Sequence, residues 1–368
     1  MRAISQALAA AGAALAVAAL AANQPWLDRH FLPSFFVPRA WYVGIEWTVR
    51  LALAAGGVAL VLGRSRVARW LTRAPSTTLL VIAAAALALV AGDYAIAWMH
   101  PRPTEWLSPG EEPRRQQDAR LGWVLAPGRT GRRTVSGRTV EYAIDAAGDR
   151  VREAGEPVDP ARPTIVFAGE SVMFGEGLTW DESIPAQAGA MLRTQSANIA
   201  VHGYSTDQIY LRLAGELPRF RQPAAVVAIF MTELFGRNLD DDRPHLAPGL
   251  VWQPAQRTPP LLALAGLLVP FRRDRTVEQG IRTTREALAA IVQLARHRDA
   301  MPLIVVPRFG GDDPVERRLR ERILGADIPA LIVPLDAGWR LSWDRHPNAD
   351  GAHAIAAAIA ARLRAGQR

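Results

Sequence analysis

Pro163-Thr-Ile-Val-Phe-Ala-Gly-Glu-Ser171 is the stretch on which the fold turns. Thr164 to Ala168 are apolar or β-branched and predict a buried strand. The strand runs into Gly169, an acid and a serine, and the chain turns again at Gly175 and Gly177. A serine at the carboxyl end of a buried parallel strand stands where open α/β sheets place their ligands. Serine is equally a favoured helix N-cap. The stretch alone therefore leaves Ser171 as either cap or nucleophile, and only a base and an oxyanion site elsewhere can separate the two.

Downstream, apolar runs at Thr164–Ala168, Ala197–Val201, Ala224–Phe230, Leu303–Pro307 and Leu331–Leu335 alternate with helical patterns near 181–193, 206–220, 276–298, 314–324 and 349–364. Strands alternating with helices predict a doubly wound parallel sheet of five strands with right-handed crossovers. Polar segments follow the strands: Gly169-Glu-Ser171, then His202-Gly-Tyr-Ser-Thr-Asp-Gln208, then Met231-Thr-Glu-Leu-Phe-Gly-Arg-Asn238, and last the stretch from Ser342 to His353. Asp344 and His346 are two apart in that last loop, and Pro347 stiffens the exit. Serine chemistry needs a base for the hydroxyl proton and a carboxylate to orient the imidazole. Gly203 lets a backbone N–H approach a reacting oxygen closely.

These residues resemble the SGNH/GDSL hydrolase superfamily, and within it membrane-anchored bacterial SGNH-domain proteins. Gly169-Glu-Ser171 resembles the nucleophile block with Glu in place of the usual Asp, and Asn198-Ile-Ala-Val-His-Gly203 resembles the glycine block. Asp344-Arg-His-Pro-Asn348 with Gly351 and His353 resembles the terminal block, so the resemblance spans roughly residues 163 to 366. It implies a flavodoxin-like sheet and ester hydrolysis or acyl transfer. Ser171 is then the nucleophile, His346 the base, Asp344 its orienting carboxylate and Gly203 an oxyanion donor. The usual Gly-x-Asn-Asp is missing after the third strand, where Thr232 and Glu233 stand. Asn238 is the nearest amide and is the expected second oxyanion donor.

Upstream, three apolar runs of spanning length precede residue 100: Ala3 to Ala22, Trp41 to Leu62 and Thr77 to Trp98. The first reads as a cleavable signal peptide or as a first transmembrane helix. Glu46 and Arg50 are spaced to pair on one helix face. Arg64, Arg66, Arg69 and Arg73 lie between the second and third runs without an acid, which predicts a cytoplasmic loop. Trp41, Trp47, Trp98 and Trp106 suit interfacial positions. Pro101 to Arg120 reads as a linker, and Arg133 to Ile144 as a hairpin turning at Ser136-Gly137. The expected division is a membrane anchor (1–100), a linker and small β-rich segment (101–162) packed beside the sheet, and an SGNH-like α/β domain (163–368).

The net charge of +8 comes from a chain without lysine, whose arginines are spread along it and not interleaved with aromatics. That argues against nucleic-acid binding. Cysteine is absent, so disulfides and thiolate metal sites are excluded. The acids of Asn238-Leu-Asp-Asp-Asp-Arg-Pro-His245 lack a known ligand spacing and read as a solvated or Arg-paired loop. No metal and no cofactor is expected. Residues 259–270 are too short a run to span, and read as a packed helix, a cleft cover or a surface-lying segment. The expected protein is a multi-pass bacterial inner-membrane esterase or O-acyltransferase with its domain in the periplasm. Its expected partners are the lipid bilayer, an acylated envelope saccharide or lipid substrate, and a membrane protein of envelope biosynthesis. A non-catalytic binding or assembly protein of the same fold is the alternative.

Overall fold

A computed structural model describes residues 1–35, 39–99, 110–256, 259–262 and 271–366. Trp106, the first part of the expected linker and most of the 259–270 run lie outside the described residues. The chain divides into two compact units, Met1–Pro103 with Thr258–Val277, and Thr104–Arg257 with Glu278–Arg368.

The first unit holds α1 (Arg2–Ala21), α2 (Gln24–His30), α3 (Arg39–Arg73) and α4 (Pro75–Met99). Three of its helices are long and apolar enough to cross a membrane: Arg2–Ala21, Val43–Arg73 and Pro75–Trp98. Leu79, Leu80, Val81 and Ile82 on α4 are exposed, as an apolar surface facing lipid requires. The arginine-rich stretch expected as a loop is helical, since α3 runs on through Arg64 to Arg73 and only Ala74 separates it from α4. Arginine is a good helix former, and no breaker intervenes before Pro75, which opens the next helix. Glu46 and Arg50 also depart from their expected pairing. Glu46 accepts from Gln24 Nε2 at 2.6 Å, while Arg50 Nε donates to the Ala19 carbonyl at 2.8 Å and its guanidinium lies over Trp47. The start of the 259–270 run returns to this unit: Leu261 N–H donates to Asp93 at 2.9 Å.

The second unit is built on one sheet. Its parallel strands are β6 (Pro163–Ala168), β7 (Gln195–Asn198), β8 (Gln222–Ile229), β11 (Met301–Phe309) and β12 (Ala330–Leu335). Before them come a hairpin of β1 (Arg115–Asp118) with β2 (Gly122–Leu125), and β3 (Arg129–Val135), β4 (Arg138–Ile144) and β5 (Arg150–Val151). A last short hairpin joins β9 (His245–Ala247) to β10 (Val251–Gln253). The main sheet has eight strands in the order β12-β11-β8-β6-β7-β5-β4-β3. Its parallel part is the flavodoxin-like order, with β6 between β7 and β8 and the chain reversing direction across the sheet beside it.

Five strands are thus extended to eight, because β5 pairs antiparallel with β7 through Arg150 and Asn198 and carries β4 and β3 with it. The β-rich segment is sheet, and the end of the expected linker is strand β1. The turn at Ser136-Gly137 has both residues at positive φ, 49° and 78°, as a two-residue hairpin requires. β7 runs from Gln195 to Asn198, so it begins two residues before the expected strand and ends three residues early. Residues 199–201 still follow β6, with Ile199 N–H on Phe167 O at 3.0 Å and Val201 N–H on Gly169 O at 3.1 Å. Helices α6 (Ile184–Leu192), α7 (Thr206–Glu216), α8 (Asp274–Arg296), α9 (Pro314–Leu324) and α10 (Ala349–Gly366) connect and cover the strands. The short α5 (Ser171–Phe174) follows β6 directly.

Arg150 fastens the added strands to the segment after β6. Its side chain is fully buried and donates to the carbonyls of Phe174, Gly175 and Leu178. Arg150→Met keeps much of the volume and removes all three donors. The Phe174 and Gly175 carbonyls keep donors in Asn198 Nδ2 and Leu178 N–H, so the Leu178 carbonyl is the one left without its donor. An unpaired buried acceptor costs about 1–3 kcal/mol, and the full chain in detergent is expected to lose about that much in urea unfolding. An unchanged midpoint would show that the Leu178 carbonyl finds another partner.

Candidate active site

Gly169 is required by close approach. A Cβ there would come within 2.5 Å of Met173 Cβ and 2.6 Å of Ile229 Cγ2. The chain can therefore turn at the end of β6 and place Ser171 at the first position of α5. Ser171 is buried, at 5% exposure, and so is His346, at 7%. They come from opposite ends of the domain sequence, yet His346 Nε2 lies 2.7 Å from Ser171 Oγ. On the other side of the ring, Asp344 Oδ2 lies 2.8 Å from His346 Nδ1. The loop carrying both is braced by its own backbone, with Leu341 N–H on His346 O at 2.8 Å and Asn348 N–H on Trp339 O at 3.1 Å.

The electrostatics favour a charged imidazole. Burial opposes the charge on His346, but the Asp344 hydrogen bond and the charges of Glu176, Asp344 and Glu170 outweigh it and raise its pKa. Burial likewise works against the Asp344 carboxylate, and the His346 hydrogen bond and charge overcome it, so its pKa is lowered. Both shifts express one contact seen from its two ends.

Gly203 follows β7, the neighbour of β6, with φ at 86°. Its carbonyl accepts from Arg243 at 2.9 Å. Neither the Ser171 nor the Gly203 backbone N–H has a protein partner among the described residues. Asn238 is placed elsewhere. It accepts from Thr206 N–H at 2.8 Å, and its amide donates to Thr206 Oγ1 at 3.0 Å and Thr284 Oγ1 at 2.9 Å. Both amide protons are spent on threonine hydroxyls, so the structure gives Asn238 the job of tying α7 to α8. Glu233 is pushed up by burial, within the opposing field of Arg340, Arg345 and Arg320. His202 is a packing residue: its ring lies 5.8 Å from Phe174 and its Nε2 3.3 Å from Glu111.

Two residues were not singled out from sequence. Glu170 caps α5 through Val172 N–H at 3.0 Å, and the same oxygen lies 2.6 Å from Ser171 Oγ. Its only sequence signal is its place before the serine. Arg237, in the 3₁₀ segment Thr232–Leu239 after β8, donates to the Tyr204 carbonyl at 3.3 Å. Burial pushes its guanidinium down to about 10, against the charge of Glu170. An arginine beside the expected amide carries no pattern that marks it. A narrow cavity beside the Asp344 loop is walled by Arg133, Arg138, Tyr142, Glu176, Trp343 and Asp344.

No protein family matches the chain, and no curated protein matches it. Solved structures do. The chain is similar to an acetyl xylan esterase from Butyrivibrio proteoclasticus, at 13% identity and TM-score 0.34, over 58% of this chain and 66% of that one. It is similar to a member of the lipolytic protein G-D-S-L family from Veillonella parvula DSM 2008, at 11% identity and TM-score 0.34, over 53% of this chain and 95% of that one. A family two carbohydrate esterase from Cellvibrio japonicus matches at 14% identity and TM-score 0.32, over 57% of this chain and 62% of that one.

The His346–Asp344 contact can be tested without an assay of activity. Asp344→Asn removes the carboxylate that raises His346 through its hydrogen bond and its charge, and burial still opposes the imidazolium, so the pKa of His346 is expected to fall relative to the wild type. Histidine Cε1 shifts followed by NMR against pH read this directly, and an unmoved His346 would refute the assignment.

Proposed function

We propose that the chain is a membrane-anchored serine esterase or O-acyltransferase that acts on an acylated envelope saccharide or lipid outside the cytoplasm. The observation that carries this reading is the continuous contact from Ser171 Oγ to His346 Nε2 to Asp344, at 2.7 and 2.8 Å. That geometry fits nucleophilic acyl transfer. Ser171 Oγ attacks the ester carbonyl while His346 Nε2 takes the hydroxyl proton. The carbonyl π pair moves onto oxygen, and the backbone N–H groups of Ser171 and Gly203 are the donors available to the oxyanion. When the intermediate collapses, the alcohol leaves with the proton from His346. Water or a sugar hydroxyl then repeats the sequence in reverse on the acyl-enzyme. The anchor follows from the three spanning-length helices, and its orientation from the arginines at 64–73.

One observation favours a non-catalytic reading: Asn238 is engaged by Thr206 and Thr284, so no side-chain amide is assigned to the oxyanion. A short-acyl ester assay decides. Ser171→Ala is expected to lower kcat/KM about a thousandfold or more. Equal turnover in wild type and Ser171→Ala would end the catalytic reading. A reporter fused after residue 100 is expected to be active only outside the cytoplasm, and a cytoplasmic signal there would reverse the proposed orientation.

A further inference from the structure

We propose that Glu170 is a second proton acceptor on the Ser171 hydroxyl, sharing one proton with His346 through the serine oxygen. This rests on reading Ser171 as the nucleophile. Oγ lies 2.6 Å from Glu170 Oε2 and 2.7 Å from His346 Nε2, yet it carries a single proton. If Glu170 is a carboxylate and the imidazole is neutral, that proton satisfies one neighbour and leaves the other facing a lone pair at hydrogen-bond distance. One added proton resolves the conflict, and it can sit at either end. On Glu170 it donates to Oγ, and Oγ donates to the free Nε2. On His346 it donates from Nε2 to Oγ, and Oγ donates to the Glu170 carboxylate. The two arrangements hold the same number of protons and differ by a shift through the hydroxyl. No bond to carbon forms or breaks. Only the first leaves His346 able to act as base when Ser171 attacks.

The surroundings fit a shared proton better than a simple cap. Glu170 is 3% exposed, and its second oxygen, Oε1, is buried with no hydrogen-bond partner among the described residues. A cap alone needs one oxygen on Val172 N–H. Charged groups face the pair from each packed element. Asp344 lies on the His346 loop, and Glu176, after α5, is paired with Arg133 of β3. Arg237 comes from the segment after β8, and its charge interacts with those of Glu170 and Glu176. Arg340 and Arg345, also on the His346 loop, act on Glu233.

Glu170→Gln keeps the length and an oxygen that can accept from Val172 N–H and Ser171 Oγ, and it removes both the charge and the carboxylate that can hold the shared proton. The acid limb of kcat/KM is expected to move to lower pH by about 0.5–1 unit, giving about threefold to tenfold more activity on that limb relative to the plateau. His346→Ala leaves Glu170 as the acceptor on Ser171. Its residual labelling by a serine-reactive phosphonate is expected to fall about tenfold further in His346→Ala/Glu170→Gln. An unmoved limb together with equal labelling in the single and double variants would make Glu170 a helix cap only. If the limb cannot be measured because Glu170→Gln fails to fold, the same shift is sought in Glu170→Asp, whose shorter arm weakens the contact with Oγ. The NMR titration of His346 separates this proposal from the functional one. A lowered His346 pKa in Glu170→Gln supports the sharing even if no ester is turned over, and an unchanged pKa overturns it even if Ser171 proves catalytic.

Discussion

A buried guanidinium holds the site together. Arg150 has no carboxylate in salt-bridge reach among the described residues; it is held by the dipoles of three carbonyls and by the faces of Tyr142 and Phe174, 4.9 and 4.8 Å away, with the charges of Glu176 and Glu182 acting from further off. Burial pushes its pKa down to about 10, which leaves it charged at neutral pH. Two of the carbonyls it binds, Phe174 and Gly175, stand at the end of α5, where a helix runs out of its own donors, and the third, Leu178, lies in the turn beyond. Gly175 shows how closely the two parts fit, because a Cβ there would lie 2.6 Å from Arg150 Nη1. Asn198 adds a second donor to the Phe174 carbonyl at 3.2 Å. The turn that presents Ser171 is therefore fixed from the antiparallel side of the sheet. Strands that look like cover for an edge are part of what positions Ser171.

That dependence also marks where the sequence could be read and where it could not. Apolar runs such as Thr164–Ala168 and Leu303–Pro307 are strands buried on both faces, and their short unbroken apolar pattern marks them in the sequence. Asp344 and His346 were legible because a loop after a strand has few reasons to carry both. β5 was not, since it is two residues long and its first residue is an arginine. Its role depends on carbonyls 24 to 28 residues away, which no local pattern encodes. The arginine-rich connection failed for a different reason. Charge composition predicts the side of a membrane, whereas helix propensity decides whether the backbone stops, and arginine favours continuation.

The departure in the third loop has a similar cause. Asn238 is an amide at about the right place in the order, but position in a sequence does not say which neighbours claim it. Thr206 and Thr284 offer two hydroxyls and one N–H, matching both ends of the amide. A half-buried amide with a complete set of partners has no reason to turn toward a cleft. The segment therefore presents Arg237, one residue earlier, beside the Tyr204 carbonyl and in the field of Glu170.

The balance of charge around Ser171 then becomes the controlling quantity. Glu170, Glu176 and Asp344 all favour a protonated His346, which is the form that cannot accept the serine proton. Two of these carboxylates have a cation close by, Arg133 on Glu176 and the more distant Arg237 acting on Glu170. In the arrangement that places the shared proton between Glu170 and Oγ, Nε2 is left unprotonated and able to act as base. Glutamate reaches one methylene further than aspartate. Here a single oxygen meets both Val172 N–H and Ser171 Oγ, which couples the cap of α5 to the proton on Ser171.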